Sequence, residues 1–227
     1  MSTDVIDVLD HGFVRLVDSM GDDASVVRAA RVSYDAGTKT PEEDARLIRY
    51  LMRNQHTSPF EQVVLVFHIK LPLFVFAQLA RHRTARLNAQ SARYTTMTND
   101  FYLPRPDQMR GQGTGNKQVG DGLLTEEVAR KAASEMRWIS HRAYSTYLEL
   151  LEMGVCREQA RMVLPQNLYT QCYWQMDLHN LLRFIELRDH PHAQYEIRVY
   201  AQALLEIAEN IAPVSVAAWR ERVRPGG

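Results

Sequence analysis

Residues 81–94 read RHRTARLNAQSARY: four arginines, one histidine, one asparagine and one serine, with no acid among them. A guanidinium fork donates to two oxygens at once and keeps its proton at any physiological pH, which suits a phosphate. Asn88, Gln90 and Ser91 add hydrogen-bonding groups where a surface salt-bridge network would place carboxylates. A phosphate-bearing small ligand fits this chemistry. A nucleic acid fits it too, although that partner favours charge spread over a face, with aromatic rings between the basic residues. Only Tyr94 qualifies as such a ring. The third reading is a plain solvated face.

Whole-chain totals narrow the choice. Lys+Arg and Asp+Glu are both 27, so no global field draws in nucleic acid or an anionic membrane, and any anion site is local. The two cysteines, Cys156 and Cys172, have no CxxC spacing; a disulfide framework is not indicated, and a reducing cytoplasm fits. The first residues carry acids and no apolar stretch, which argues against a signal peptide. No apolar run approaches the roughly 18 residues needed to span a bilayer. Neither a GxGxxG nor a P-loop is present, so a Rossmann-type dinucleotide site is not expected. His192 and Glu196 have helical i, i+4 spacing beside His190, but one such pair is weak ground for a metal, and none is expected.

The elements that must hold these residues follow from periodicity and punctuation. GFVRLVDSMG alternates and stops at Gly21, as a short strand does, and DDASVVRAARVSY then has helical spacing. TPEEDARLIRYLMRN is a helix with Thr40 as N-cap, Pro41 in the first turn and Glu43 closing a capping box. Pro59 in QHTSPFEQ forbids a continuing helix. VVLVFHIKL is a strand with Val63, Leu65, Phe67, Ile69 and Leu71 on one side. Pro72 ends it and opens a helix, LFVFAQLARHR, that delivers Arg81, His82 and Arg83 at or near its C-terminal end, where cations are favoured.

PRPDQMRGQGTGNKQVGDG reads as a long loop, and loops of this length are often functional lids. A long helix follows, capped by Thr125 and stopped by Gly154, and then the short helical CREQARMVL. NLYTQCYWQM is strand-like, LHNLLRFIELR and HAQYEIRVYAQALLEIAENI are helices broken by DHP, and a short polar tail ends the chain. No internal repeat is found. Strands scattered among long helices predict an α+β fold, a mixed or antiparallel sheet flanked by helices, in one domain over 1–227.

The arginine segment resembles the signature of the flavin-dependent thymidylate synthases, RHRxxSxNxxSxRY. Arg81, His82, Arg83, Asn88, Ser91, Arg93 and Tyr94 match; Arg86 stands where the pattern has its first serine. VRAARVSYD, HTSPFEQ, FHIKLPLFVFAQLARHR, FYLP, ARMVLPQNLYT and ELRDHPHAQYEIRVYA follow in family order at family-like spacing. The resemblance implies synthesis of dTMP from dUMP. The one-carbon unit comes from 5,10-methylenetetrahydrofolate and a hydride from reduced FAD, which NADPH regenerates. It also implies a homotetramer binding FAD and dUMP where subunits meet.

Residue by residue, the resemblance puts His56, Ser58, Arg81, His82, Arg83, Asn88, Asp177, His179 and Arg183 on FAD. It puts Gln78, Arg81, Gln90, Ser91, Arg93, Arg161 and Arg188 on dUMP, with Arg188 against the uracil ring as the catalytic group. A fixed cation there stabilises the negative charge that builds as the ring is activated, so no covalent protein nucleophile is required. The flavin-free class of thymidylate synthases attacks uracil with a cysteine, but a reactive thiol needs a setting that lowers its pKa, and Cys156 reads as a small packing residue. The alternative is a nucleic-acid-binding module using the same arginines. A relative that binds FAD but has lost turnover through Arg86 is a further possibility.

Overall fold

The computed structural model describes residues 5–32, 40–113 and 120–223. Its central strand is β3 (Val64–Pro72), whose alternation takes Leu65, Phe67, Ile69 and Leu71 wholly out of solvent. Val66, His68 and Lys70 occupy the opposite face. Burying each large apolar side chain contributes about 1.5–3 kcal/mol, so this one strand anchors the sheet. β2 (Gly12–Met20) and β7 (Tyr169–Asp177) pair with it on its two sides, and β1 (Val5–Val8) and β4 (Arg86–Ala89) form the edges. The sheet order is β1-β2-β3-β7-β4, and every neighbouring pair is antiparallel.

The expected helices are present: α1 (Asp23–Arg31), α2 (Pro41–Arg53), α3 (Leu73–Leu79), α4 (Glu126–Glu152), α5 (Arg157–Ala160), α6 (Leu178–Arg188) and α7 (Tyr195–Ile211). The capping box of α2 forms as read, with Thr40 and Glu43 bonded to each other's backbone. α6 and α7 cover one face of the sheet, where Trp174 of β7 meets Phe184 of α6 with ring centroids 5.2 Å apart. A second, smaller cluster joins Met97, Phe101, Tyr147, Ala160 and Leu168 beneath α4 and α5.

Four readings need correction. The arginine segment is not one with the preceding helix: α3 ends at Leu79, Arg81–Arg83 lie just past it, and Arg86–Ala89 pair with β7 as an edge strand. β1 was not foreseen, because four residues, with Asp7 as their one polar side chain, give little alternation signal. The long loop carries a turn of 3-10 helix at Pro106–Gln108 and a hairpin of β5 (Arg110–Gln112) with β6 (Gly120–Leu123). Its glycines and polar residues resemble loop composition, which hid the pairing. The C-terminal tail is an eleven-residue helix, α8 (Pro213–Val223), that buries Val216, Ala218 and Trp219. Residues 33–34 of the first expected helix, 114–119 of the loop and 224–227 of the tail lie outside the described residues.

The start of α8 shows why it was missed. The residue directly before Pro213 is Ala212, whose side chain cannot cap. The cap comes from α1 instead: the Asp23 carboxylate accepts from the Val214 and Ser215 backbone N–H groups, at 2.8 and 2.9 Å, and from the Ser215 hydroxyl at 2.5 Å. Asp23→Ala is expected to lower unfolding stability by about 1–2 kcal/mol through loss of this cap. Denaturant titration of both proteins measures it, and an unchanged midpoint counts against the role.

Candidate active site

The site is assembled around α6. Asp177, the last residue of β7, caps it: one carboxylate oxygen accepts from the Asn180 backbone N–H at 2.9 Å and the other from the Asn180 side chain at 2.8 Å. Eleven residues later the helix ends at Arg188. Phe184 and Arg188 lie one turn apart and meet the same partner. The His82 ring stands edge-on to Phe184, with centroids 4.6 Å apart, and its Nε2 accepts a hydrogen bond from Arg188 Nε at 3.1 Å. His82 itself is held by the turn after α3, its N–H donating to the Leu79 carbonyl at 3.1 Å.

The electrostatics of this pair are one-sided. Burial, and secondly the Arg188 charge, push the His82 pKa down from 6.5 to about 4, so the ring is neutral at physiological pH. Burial also lowers the Arg188 pKa, yet a guanidinium stays protonated. Among the described residues no carboxylate forms an ion pair with Arg188. A positive charge is therefore held in place without being neutralised.

The neighbouring face of α6 lines a cavity of about 710 Å³ with Arg183, Glu186 and Leu187. His179, from the helix's first turn, joins them, and His56 and Thr57 enter from the segment after α2. Leu51, Phe60, Leu182 and Trp219 supply apolar walls, and Arg222 of α8 reaches in while bonded to Glu186 at 2.8 Å. Burial lowers the His179 pKa, while Asp177 and Glu61 pull it back up. Imidazole and guanidinium donors over apolar walls, at this volume, fit one portion of a large phosphorylated, aromatic ligand.

The structure thus gathers His56, His179 and Arg183 in one cavity and His82 with Arg188 beside it. Ser58 is exposed in the adjoining turn, and Asp177 is engaged as the α6 cap. Arg81 and Arg83 are exposed past α3, and Gln78 donates to the Gln194 side chain at 2.6 Å. The other residues lie elsewhere. Asn88 pairs across from Tyr173, on the sheet face opposite α6. Arg86, across from Gln175, shares that face, so it does not crowd the His82–Arg188 pair. Gln90 N–H donates to the Gln171 carbonyl at 2.8 Å, Arg93 Nε donates to the Ser91 hydroxyl at 3.4 Å, and Arg161 Nε donates to the Glu158 carbonyl at 3.3 Å. No hydrogen bond among the described residues links this group to Arg188.

A family model described as thymidylate synthase complementing protein matches residues 15–214. The chain belongs to that family. Among the family's relatives, a flavin-dependent thymidylate synthase from Thermus thermophilus is 53% identical over 221 residues, covering 97% of this chain and 80% of the relative. Another of that name, from Gluconobacter oxydans, is 50% identical, covering 95% of this chain and 72% of its own. A crystal structure of the UMP/dUMP methylase PolB from Streptomyces cacaoi, bound with 5-Br dUMP, superposes with a TM-score of 0.86 at 33% identity, covering 97% of this chain and 100% of that one. A nucleic-acid module finds no support in these likenesses.

The lining of the α6 cavity also shows what sequence reasoning missed: Thr57, Trp219 and Arg222. Thr57 lay within the quoted HTSPFEQ and could have been included. Trp219 and Arg222 could not, because their helix read as a tail. A pH prediction follows from His82. Its folded pKa is depressed, so the unfolded chain binds more protons between about pH 4 and 6.5, and stability falls as pH drops through that window. Melting temperatures from pH 7 to 4 are expected to fall less steeply in His82→Phe than in the parent; identical slopes would show that the ring does not carry this linkage.

Proposed function

We propose that this protein makes dTMP from dUMP, using the one-carbon unit of 5,10-methylenetetrahydrofolate, with FAD as cofactor and NADPH as the source of reducing equivalents. The observation that carries this reading is Arg188: a charged guanidinium with no carboxylate partner among the described residues, fixed by a neutral ring, in a chain of this family. Against uracil it supplies charge stabilisation where negative charge develops at the N3/O4 side. FAD, when bound, supplies the hydride. His56, His179 and Arg183 hold it in the cavity of about 710 Å³, and Arg81 and Arg83 take its phosphates.

The two thiols fit a mechanism without a protein nucleophile. Cys172 is buried, and burial pushes its pKa up to about 12. Cys156 is exposed at the start of α5, on the side of the second cluster, and not within the α6 cavity. Ser91 accepts from the Arg93 backbone and side chain, with no His or Lys base bonded to it among the described residues.

Gln90, Ser91, Arg93 and Arg161 belong to the same reading as residues for the nucleotide, contributed by a neighbouring copy in a homotetramer. What supports it is that their hydrogen bonds among the described residues go to groups other than Arg188, and that Gln90, Arg93 and Arg161 are exposed with Ser91 half-buried. Arg188 and Gln78 then meet dUMP from one copy, and these four meet it from the next. Among the described residues no helix is long and apolar enough to cross a membrane.

The purified protein is expected to carry or take up FAD, to oxidise NADPH faster when dUMP is added, and to release dTMP when the folate is present. A colourless protein that refuses FAD contradicts the proposal. Arg188→Ala is expected to retain FAD while kcat falls by about 10²–10³, the loss typical of removing one charge-stabilising donor. Mixing Arg188→Ala with Arg161→Ala subunits is expected to restore part of the turnover, because mixed tetramers contain some sites with neither change. No recovery in reassembled mixtures would place both groups on one chain's site.

A further inference from the structure

The hydrogen bond between α6 and the turn after α3 fixes a tautomer. Arginine Nε–H can only donate, so the ring nitrogen 3.1 Å away must carry a lone pair. A ring that accepts at Nε2 and is neutral has its proton at Nδ1. Phe184 clamps the same ring from the side, and the Leu79 carbonyl holds its backbone, so the acceptor is fixed in place. The bond occupies Nε and leaves both terminal guanidinium nitrogens without a side-chain acceptor among the described residues. A carboxylate in the same place would orient the group equally well but would cancel the charge. A neutral acceptor orients and leaves the charge intact.

We infer that His82 is a positioning residue for Arg188: its neutral ring, protonated at Nδ1, accepts the Nε–H and sets the plane of the guanidinium, so that the two free nitrogens address the pyrimidine. Its Nδ1–H is then the only N–H donor the ring retains. The inference rests on the assignment of Arg188 to the pyrimidine.

Two kinds of measurement test it. In ligand-free protein labelled with 15N at histidine, the resonance lost in His82→Gln should have an unprotonated Nε2 at neutral pH; a protonated Nε2 overturns the inference. In turnover at saturating FAD, His82→Phe keeps the edge contact and removes the acceptor. Its kcat should fall by about 10²-fold, the cost of a misplaced catalytic group, with a smaller change in KM for dUMP. His82→Gln, whose amide oxygen can accept, should recover most of that loss. Full turnover in His82→Phe, or equal losses in both variants, overturns the positioning role. If Arg188→Ala is inactive while His82→Phe is not, only this inference fails. Normal turnover in Arg188→Ala removes the reading on which it rests.

Discussion

A single hydrogen bond, from a guanidinium to an uncharged imidazole, is the contact on which the proposed chemistry depends. Its partners come from the end of α6 and from the turn after α3, 106 residues apart in sequence. Burial keeps the imidazole neutral, and neutrality keeps it an acceptor. The positive charge beside it is therefore available to a ligand. Were the ring protonated, two cations would face each other and the bond would be lost.

The rest of the fold can be read as support for that contact. Strand β7 sets the start of α6, and Asp177 caps it at the strand's end. Trp174 packs against Phe184, which in turn packs against His82, so the sheet's core reaches the site through two rings. The same helix turns its other face to the cavity of about 710 Å³, so one rigid element serves both halves of the site. Helix α8 closes that cavity with Trp219 and Arg222, and is pinned by the Asp23 carboxylate of α1.

The parts of the fold legible in the sequence were those encoded locally. The alternation of β3, the capping box of α2 and the length of α4 all appear where the sequence places them. The parts that were not legible depend on distant partners. β4 is a strand because β7 offers it an edge, not because RLNA favours one. The helix α8 takes its cap from residue 23. At the site, the family resemblance named His82 and Arg188 but not their bond, and the site residues it named fall on both faces of the sheet. That division arises in three dimensions: Asn88 and Arg86 emerge on the sheet face opposite α6, which no one-dimensional pattern records.

The most direct test is a structure of the assembled protein with FAD and 5-bromo-dUMP. The account predicts both terminal nitrogens of Arg188 within hydrogen-bonding distance of the pyrimidine oxygens, with Nε still on the His82 ring. A nucleotide bound with its base far from Arg188, or an Arg188 swung away from His82 toward solvent, would contradict it.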